Sequence, residues 1–242
     1  MIVNRAGWPL RGELNHPLGQ VLSQTPTRPA YHPGAHERRA MFLAAHPEAD
    51  GHWQLPDESH LPWTFIPDVA PAVKDDICFP NESFCGLIAE TVLEAEDEVA
   101  FLEKAVQFAN QTLWGNLTAT MIVHPDLLKD TRMSDHAFDN LRYGMILINQ
   151  FAGLGFFAIT TTWGAYPGNE RRDIQSGQGV TSNTLMFHRH QKLIVRSPFK
   201  LAPDPFALTL KNVDTFARDL AALEYDPSSW KAARLTADAL RS

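Results

Sequence analysis

The chain has 242 residues, of which 44% are hydrophobic and 20% are charged, as is usual for a globular protein with one large domain or two small ones. Its formal net charge of -7 and the lack of a lysine–arginine cluster argue against nucleic-acid binding, and no apolar run is long enough to span a membrane. Two cysteines, Cys78 and Cys85, cannot make a disulfide framework, and the N-terminus lacks the apolar segment of a signal peptide, so a cytoplasmic location is expected.

Residues 1–75 are rich in proline and contain six of the ten histidines. Because proline interrupts regular elements, only two helices are predicted here, over residues 9–24 and 35–46. The spacing of these histidines fits no metal-binding pattern, and His188 and His190 offer only two ligands, whereas a zinc site uses about three or four. The sequence therefore predicts no metal site.

Beyond Cys78, apolar segments of strand length and helix length alternate. Strands are predicted over residues 87–93, 117–123 and 145–148, because these are short apolar or β-branched runs. An acidic helix start with apolar residues at helical spacing follows the first strand, and Ser134 is placed to cap a second helix. This order predicts an α/β fold with an open parallel sheet and helices on both faces.

The rest of the chain is less regular. Residues 150–184 are predicted to be loops, because six glycines interrupt them. The alternating side-chain pattern of residues 192–196 predicts a half-exposed C-terminal strand that protrudes from the domain. Residues 200–207 are rich in proline and are predicted to be a linker. Two amphipathic helices within residues 213–240 then form a helical tail.

The most informative segment is residues 81–86, where Glu82 stands two places before Phe84 at the start of a predicted buried strand. The carboxylate can accept hydrogen bonds from a ribose diol, and the ring can lie against a flat nicotinamide. Residues 109–115, with the sequence Ala-Asn-Gln-Thr-Leu-Trp-Gly, end the next helix and turn into a strand. In this order and separation, the two segments resemble the catalytic domain of the NAD(P)-dependent aldehyde dehydrogenases.

Further segments extend this resemblance over residues 1–199, whereas residues 200–242 form a linker and a helical C-terminal extension. Residues 141–149 resemble the family's segment that ends in an asparagine near the substrate funnel. Residues 163–166 and 175–179 are similar to the family's aromatic-glycine loop and to the Ser-Gly-x-Gly that follows it. Residues 192–199 resemble its C-terminal oligomerisation strand. The resemblance thus implies cofactor-binding roles for Glu82 and Phe84, and the substrate-funnel candidates are Asn149, Trp163 and Tyr166.

The resemblance implies NAD or NADP as the cofactor and oxidation of an aldehyde to an acid or thioester by the complete enzyme. It also implies that the attacking cysteine would lie upstream of Ile2, so no catalytic residue is assigned to this chain. The dinucleotide-binding domain likewise corresponds to an upstream half. The chain departs from the family pattern at Cys85-Gly86, where Gly-Pro is usual, and at Tyr166-Pro167, where Tyr-Lys is usual. The chain alone is therefore expected to be inactive.

Each candidate also has a structural interpretation. By position alone, Glu82 is a solvated acid, and Phe84 and Cys85 are packing residues. Asn149 can cap a strand end, and the aromatic residues Trp163 and Tyr166 can pack within their glycine-rich loop. A second hypothesis follows, in which the chain is a non-catalytic assembly module that pairs with itself or with a separately encoded N-terminal half.

Overall fold

The chain folds into parallel strands with flanking helices. A computed structural model describes residues 1–49, 55–129, 131–158, 160–198 and 213–240. The predicted linker over residues 200–207 lies outside the described residues. In chain order the elements are β1 (Ile2–Arg5), α1 (Arg11–Gln24), α2 (Ala35–Ala45), β2 (Thr64–Val69), β3 (Leu87–Leu93), α3 (Glu98–Gln111), β4 (Thr118–Met121), α4 (Pro125–Lys129), α5 (Thr131–Asn140), β5 (Met145–Ile148), a 3-10 helix (Ala152–Phe157), β6 (Trp163–Gly164), β7 (Val180–Thr181), β8 (Leu193–Arg196), α6 (Val213–Tyr225) and α7 (Ser229–Leu240).

The first sheet is three-stranded and parallel, in the order β1-β3-β2. One core covers it, in which Phe42 of α2 and Phe108 of α3 pack with Ile66 and Phe79, all of them at most 9% exposed. Burial of these large apolar side chains is the main stabilising contribution here. Strand β2 has no counterpart in the sequence analysis, because Pro67 and the proline-rich flanks obscure its short apolar run.

The second sheet is also three-stranded and parallel, in the order β4-β5-β8. Every residue of β5 is at most 2% exposed, which explains its uninterrupted apolar run. The α/β class with parallel strands is confirmed, and the parallel strands form two sheets. The C-terminal strand does not protrude, because β8 pairs with β5 along Met145↔Leu193 to Ile148↔Arg196.

Local signals located most element ends, with two exceptions. Helix α3 begins where the acidic run predicts, and the side chain of Asp97 caps it by accepting a hydrogen bond from Ala100 N at 2.8 Å. Helix α5 begins at Thr131, three residues before the start predicted at Ser134, so Ser134 does not stand at the N-cap position and that prediction was wrong. The preference of serine for helix starts is a local signal and does not fix where a helix begins. The glycine-rich residues predicted to be loops contain the 3-10 helix and the antiparallel pair β6–β7. Within the described residues, no helix is both long and apolar enough to cross a bilayer.

A buried charged cluster joins α1 to the first sheet. Glu90, in the middle of β3, is 0% exposed. Its Oε1 accepts hydrogen bonds from Asn4 Nδ2 at 2.6 Å, Arg11 Nε at 2.8 Å and Asn15 Nδ2 at 3.1 Å. Its Oε2 accepts one from Arg11 Nη2 at 2.7 Å, and the same guanidinium pairs with Asp68. The buried carboxylate is therefore fully paired, as a buried charge must be.

Lys192, just before β8, closes the C-terminus of α5. Its Nζ donates hydrogen bonds to the carbonyl oxygens of Phe138 at 2.8 Å, Asp139 at 2.7 Å and Leu141 at 2.7 Å. These are carbonyls without a partner inside the helix, and a cation here also interacts favourably with the helix dipole. The lysine thereby fixes α5 to the edge strand of the second sheet.

Replacing Lys192 by methionine is expected to lower the free energy of unfolding by about 2 kcal/mol, because three carbonyls lose a charged donor while the apolar stem is kept. Urea unfolding followed by circular dichroism measures this. Lys129→Met is the matched control, since its ion pair with Asp126 joins side chains that are 77% and 69% exposed, and it should change little. Equal losses in the two variants would contradict the capping role.

Candidate functional site

The segment from Glu82 to Gly86 lies at the start of β3, against the N-terminal part of α2. The backbone enters the sheet there, because Thr64 N of β2 donates to Gly86 O at 2.8 Å. The side chain of Trp63 lies so close to Gly86 that a Cβ at that position would overlap its ring. Arg38 of α2 donates from Nη1 to Glu82 O at 2.9 Å. Neighbouring elements thus fix the position of this segment on both sides.

Phe84 is held outward at this position. Its φ of 50° is in the left-handed region, which is uncommon for a residue other than glycine, and the residue is 39% exposed. The guanidinium of Arg38 lies 5.1 Å from the ring centroid, and the ring of His32 contacts it edge-on at 5.0 Å. Part of the aromatic ring remains accessible beside a cationic group.

Glu82 is exposed next to this ring. Only its backbone oxygen is engaged by Arg38, and among the residues that the structure describes no donor contacts its carboxylate. The structure therefore places an accessible carboxylate and a partly accessible aromatic ring two residues apart at one strand end. Their binding of a cofactor stays a prediction.

Neither cysteine is an activated thiol. Burial raises the pKa of Cys85 above its ordinary value, and this outweighs the hydrogen bond from Ser83 and the nearby charges of Arg39 and Arg38, which lower it. Burial, together with the neighbouring carboxylate of Asp76, raises the pKa of Cys78 to about 12. A nucleophilic cysteine needs the opposite shift, so this geometry does not support either thiol as the attacking group.

The substrate-funnel candidates lie in and around the second sheet. Asn149 follows β5 with a φ of 58°, and its amide accepts from Val123 N at 2.7 Å and donates to Val123 O at 2.9 Å. Trp163 of β6 packs on the core of β5 and meets Phe156 edge-on at 5.5 Å. Tyr166 has Lys192 Nζ 5.6 Å from its ring centroid. All three make structural contacts, and their roles as substrate-funnel residues stay predictions.

The glycine-rich motif segments meet in one polar network at the start of β4. Gly115 N donates to Gln175 Oε1 at 2.9 Å, and Asn116 N donates to Ser176 Oγ at 2.8 Å. The amides of Asn116 and Asn169 bond to each other at 2.9 Å and 3.1 Å. Asn116 and Asn169 were not identified from the sequence as residues that hold the motif segments together. Each of them directly follows a glycine of these segments, and this position could have indicated their role.

Asn110 has a comparable role one helix earlier. Its Nδ2 donates to Asn140 O at 2.8 Å, and its Oδ1 accepts from Arg142 N at 2.8 Å. The side chain thus ties the end of α3 to the turn between α5 and β5. A cleft of about 450 Å³ opens between α3 and α5, and Glu103, Gln107, Asn110, His136 and Arg142 are among its lining residues. It contains none of the sequence-predicted site residues.

No protein-family model and no curated protein matches the sequence. Among solved structures, a salicylaldehyde dehydrogenase from Pseudomonas putida G7 complexed with salicylaldehyde is similar over 74% of this chain and 34% of its own, with a TM-score of 0.50 and 14% identity. A mutant of an aldehyde dehydrogenase from Bacillus cereus is similar over 62% of this chain and 30% of its own length, with a TM-score of 0.47 and 14% sequence identity. An indole-3-acetaldehyde dehydrogenase complexed with NAD⁺ is similar over 62% of this chain and 27% of its own length, with a TM-score of 0.45 and 20% sequence identity.

The first of these likenesses shows the fold of the chain. Its α/β architecture with parallel strands is that of part of an aldehyde dehydrogenase, and the chain spans about a third of the length of that enzyme.

Proposed function

We propose that this chain is part of an aldehyde dehydrogenase-like oxidoreductase that uses NAD or NADP, and that it supplies one wall of the cofactor site. In this proposal the carboxylate of Glu82 accepts hydrogen bonds from the ribose of the nicotinamide nucleotide, and Phe84 packs against the nicotinamide ring. The fold likeness and the order of the motif segments support it. The cofactor would supply the hydride acceptor for oxidation of an aldehyde.

The observation that carries the proposal is the presentation of Phe84 beside Glu82. A left-handed backbone at a residue other than glycine costs on the order of 1 kcal/mol, and such conformations concentrate at binding sites. Phe84 is 39% exposed, so part of its apolar surface stays in water. The two residues fit the group: the carboxylate is accessible, and Arg38 and His32 hold the ring without covering all of it.

The same proposal holds that this chain alone does not oxidise aldehydes. Covalent aldehyde oxidation needs a thiolate nucleophile, a group that stabilises the oxyanion, and a bound hydride acceptor. Both cysteines have raised pKa values, so neither provides the thiolate. The nucleophile and the dinucleotide-binding fold would come from another segment, on the same polypeptide or on a separate one.

Calorimetric titration with NAD⁺ and NADP⁺ tests the cofactor wall. Glu82→Gln is expected to weaken binding about tenfold, because the hydrogen bonds from the ribose diol lose a charged acceptor. Glu96→Gln is the matched control: it removes the same charge from another exposed glutamate and should leave binding unchanged. Equal affinity of the wild type and Glu82→Gln for both nucleotides would contradict the role of Glu82. Aldehyde turnover by the purified chain that is lost in Cys85→Ser would overturn the expected inactivity.

A second candidate function, a non-catalytic assembly module, is favoured by exposed aromatic residues. Phe151, Phe156 and Phe157, on and beside the 3-10 helix, are 61%, 50% and 54% exposed. Adjacent exposed aromatic side chains are typical of surfaces that a partner covers. The partner would be a second copy of this chain or a separately encoded N-terminal half. A stable dimer on size-exclusion chromatography that Phe151→Ser dissociates, with no nucleotide binding, would favour this function over the first.

A further inference from the structure

Three metal-ligating side chains meet at the other end of the segment that leads to Glu82. His46 directly follows α2, and Asp76 and Cys78 lie in the connection from β2 to β3. A nitrogen of His46, a carboxylate oxygen of Asp76 and Cys78 Sγ all lie within 4.8 Å of one another. The His46 and Asp76 side chains are only 8% and 13% exposed, and Cys78 is 8% exposed. The cluster is therefore largely shielded from water.

Groups around the cluster hold these side chains in place. Glu48 Oε1 lies 2.8 Å from His46 Nδ1, which directs His46 Nε2 toward Asp76 Oδ1 at 3.1 Å. The backbone N–H of Cys78 donates to Asp76 Oδ1 at 2.9 Å. A carboxylate on the far nitrogen of a histidine is the usual outer partner of a metal-binding imidazole, because it fixes the tautomer that leaves Nε2 free to ligate.

We propose that His46, Asp76 and Cys78 bind a divalent transition-metal ion, with Zn²⁺ as the best fit. Zinc accepts nitrogen, oxygen and sulfur ligands at about 2.0–2.3 Å, so ligand atoms around a tetrahedral ion stand roughly 3–4 Å apart. His46 Nε2 and Asp76 Oδ1 are 3.1 Å apart, and all three donor atoms lie within 4.8 Å of one another, so small side-chain movements would bring them to this spacing. Binding displaces the thiol proton of Cys78, and the thiolate with the Asp76 carboxylate then balances the two positive charges of the ion. Water completes the fourth position.

The alternative is an ion pair without metal, in which an imidazolium lies between Glu48 and Asp76. That arrangement accounts for both carboxylates, since each contacts one nitrogen of His46. In that arrangement the Cys78 thiol packs in the first core and hydrogen-bonds to Asp76, whereas in the proposed site it is a metal ligand. A metal ion would join the three donors in one coordination shell, with Glu48 as the outer carboxylate on His46 Nδ1.

The location defines what the ion would do. His46 directly follows α2, and Arg38 in that helix contacts both Glu82 and Phe84. A metal link from His46 to Asp76 and Cys78 would fasten the connection between β2 and β3 to α2 at a second point. It would order the segment that ends at Glu82, whether or not that segment binds a cofactor.

Titration of the tag-free, chelator-treated full chain with ZnCl₂, and with CoCl₂ followed by absorption, tests the site. Wild type is expected to bind one ion and to show a thiolate-to-cobalt charge-transfer band. Cys78→Ser should lose the band and bind at least roughly 100-fold more weakly, whereas Cys85→Ser, which changes the other free cysteine, should keep both properties. His46→Asn should lose binding, and His60→Asn, at a comparable pair with Asp57, should not.

Glu48→Gln guards against variants that fail to fold. It keeps all three ligands and should retain the charge-transfer band while binding roughly 10–100-fold more weakly. Circular dichroism verifies that each variant is folded. Absence of stoichiometric binding by the wild type, or equal affinity and an unchanged band in Cys78→Ser, would overturn the metal site and leave an ion-pair cluster.

Discussion

Replacing Glu90 by alanine is expected to lower the free energy of unfolding by about 3 kcal/mol, because it leaves a guanidinium and two amides without their shared acceptor. The carboxylate is 0% exposed and accepts hydrogen bonds from Arg11, Asn4 and Asn15. The remaining pair between Arg11 and Asp68 limits the loss, since it keeps part of the arginine charge compensated. Urea unfolding at neutral pH measures the change.

The matched control is Glu98→Ala, which removes the same side chain from an ion pair with Arg5 in which the glutamate is 67% exposed. That variant should lose less than about 1 kcal/mol, as surface pairs usually do. A loss in Glu90→Ala no larger than in the control would show that the buried cluster contributes little to stability.

The same cluster predicts how stability depends on pH. Burial by itself would raise the pKa of Glu90, but the hydrogen bonds from Arg11, Asn15 and Asn4 outweigh it and lower the pKa to about 2, from an ordinary 4.5. A carboxyl whose pKa is depressed on folding stabilises the protein above its unfolded pKa, and this stabilisation is lost as pH falls toward the folded value. The stability difference between the wild type and Glu90→Gln should therefore be full at neutral pH and shrink between about 4.5 and about 2. A difference that stayed constant through this window would contradict the assignment.

Gly144→Ala is expected to lower the free energy of unfolding by about 3 kcal/mol, because a Cβ at this position would overlap the carbonyl oxygen of Gly164. Gly144 lies just before β5, where its N–H donates to Asn116 O at 2.9 Å and its carbonyl accepts from Leu193 N at 2.9 Å. The main chain has little freedom to move away, since both neighbouring strands hold it. Thermal and urea unfolding of the purified variant measure the loss.

Gly19→Ala provides the control with the same chemical change. Gly19 is inside α1 and nothing lies within 4 Å of the Cβ that alanine would add. Alanine favours the helix, so this variant should be more stable by about 0.5–1 kcal/mol. Wild-type stability of Gly144→Ala would mean that the loop around Gly164 yields readily, and that the close approach does not constrain the motif segments.

The sequence predicted the two main residues of the candidate cofactor wall but not the residues that hold them in place. Glu82 and Phe84 stand two residues apart in the chain, so their proximity at one strand end needed no tertiary information. The partners that hold Phe84 outward were not predictable, because Arg38 and His32 come from a helix and a loop more than forty residues earlier. The proposed metal site is similar: His46 and Asp76 are thirty residues apart and fit no linear ligand pattern.

The sequence by itself determined the elements whose signals are local. The acidic start of α3 is such a signal, and β3 and β5 were predicted with the bounds that they have, because a buried parallel strand is an apolar run that needs no context. Tertiary structure alone decided that the parallel strands form two sheets, that β8 pairs with β5, and that Glu90 is buried as a paired charge. Strand pairing and burial bring together residues that are far apart in the chain. Their free energy depends on the identity of the distant partner, and a short segment of sequence does not contain that information.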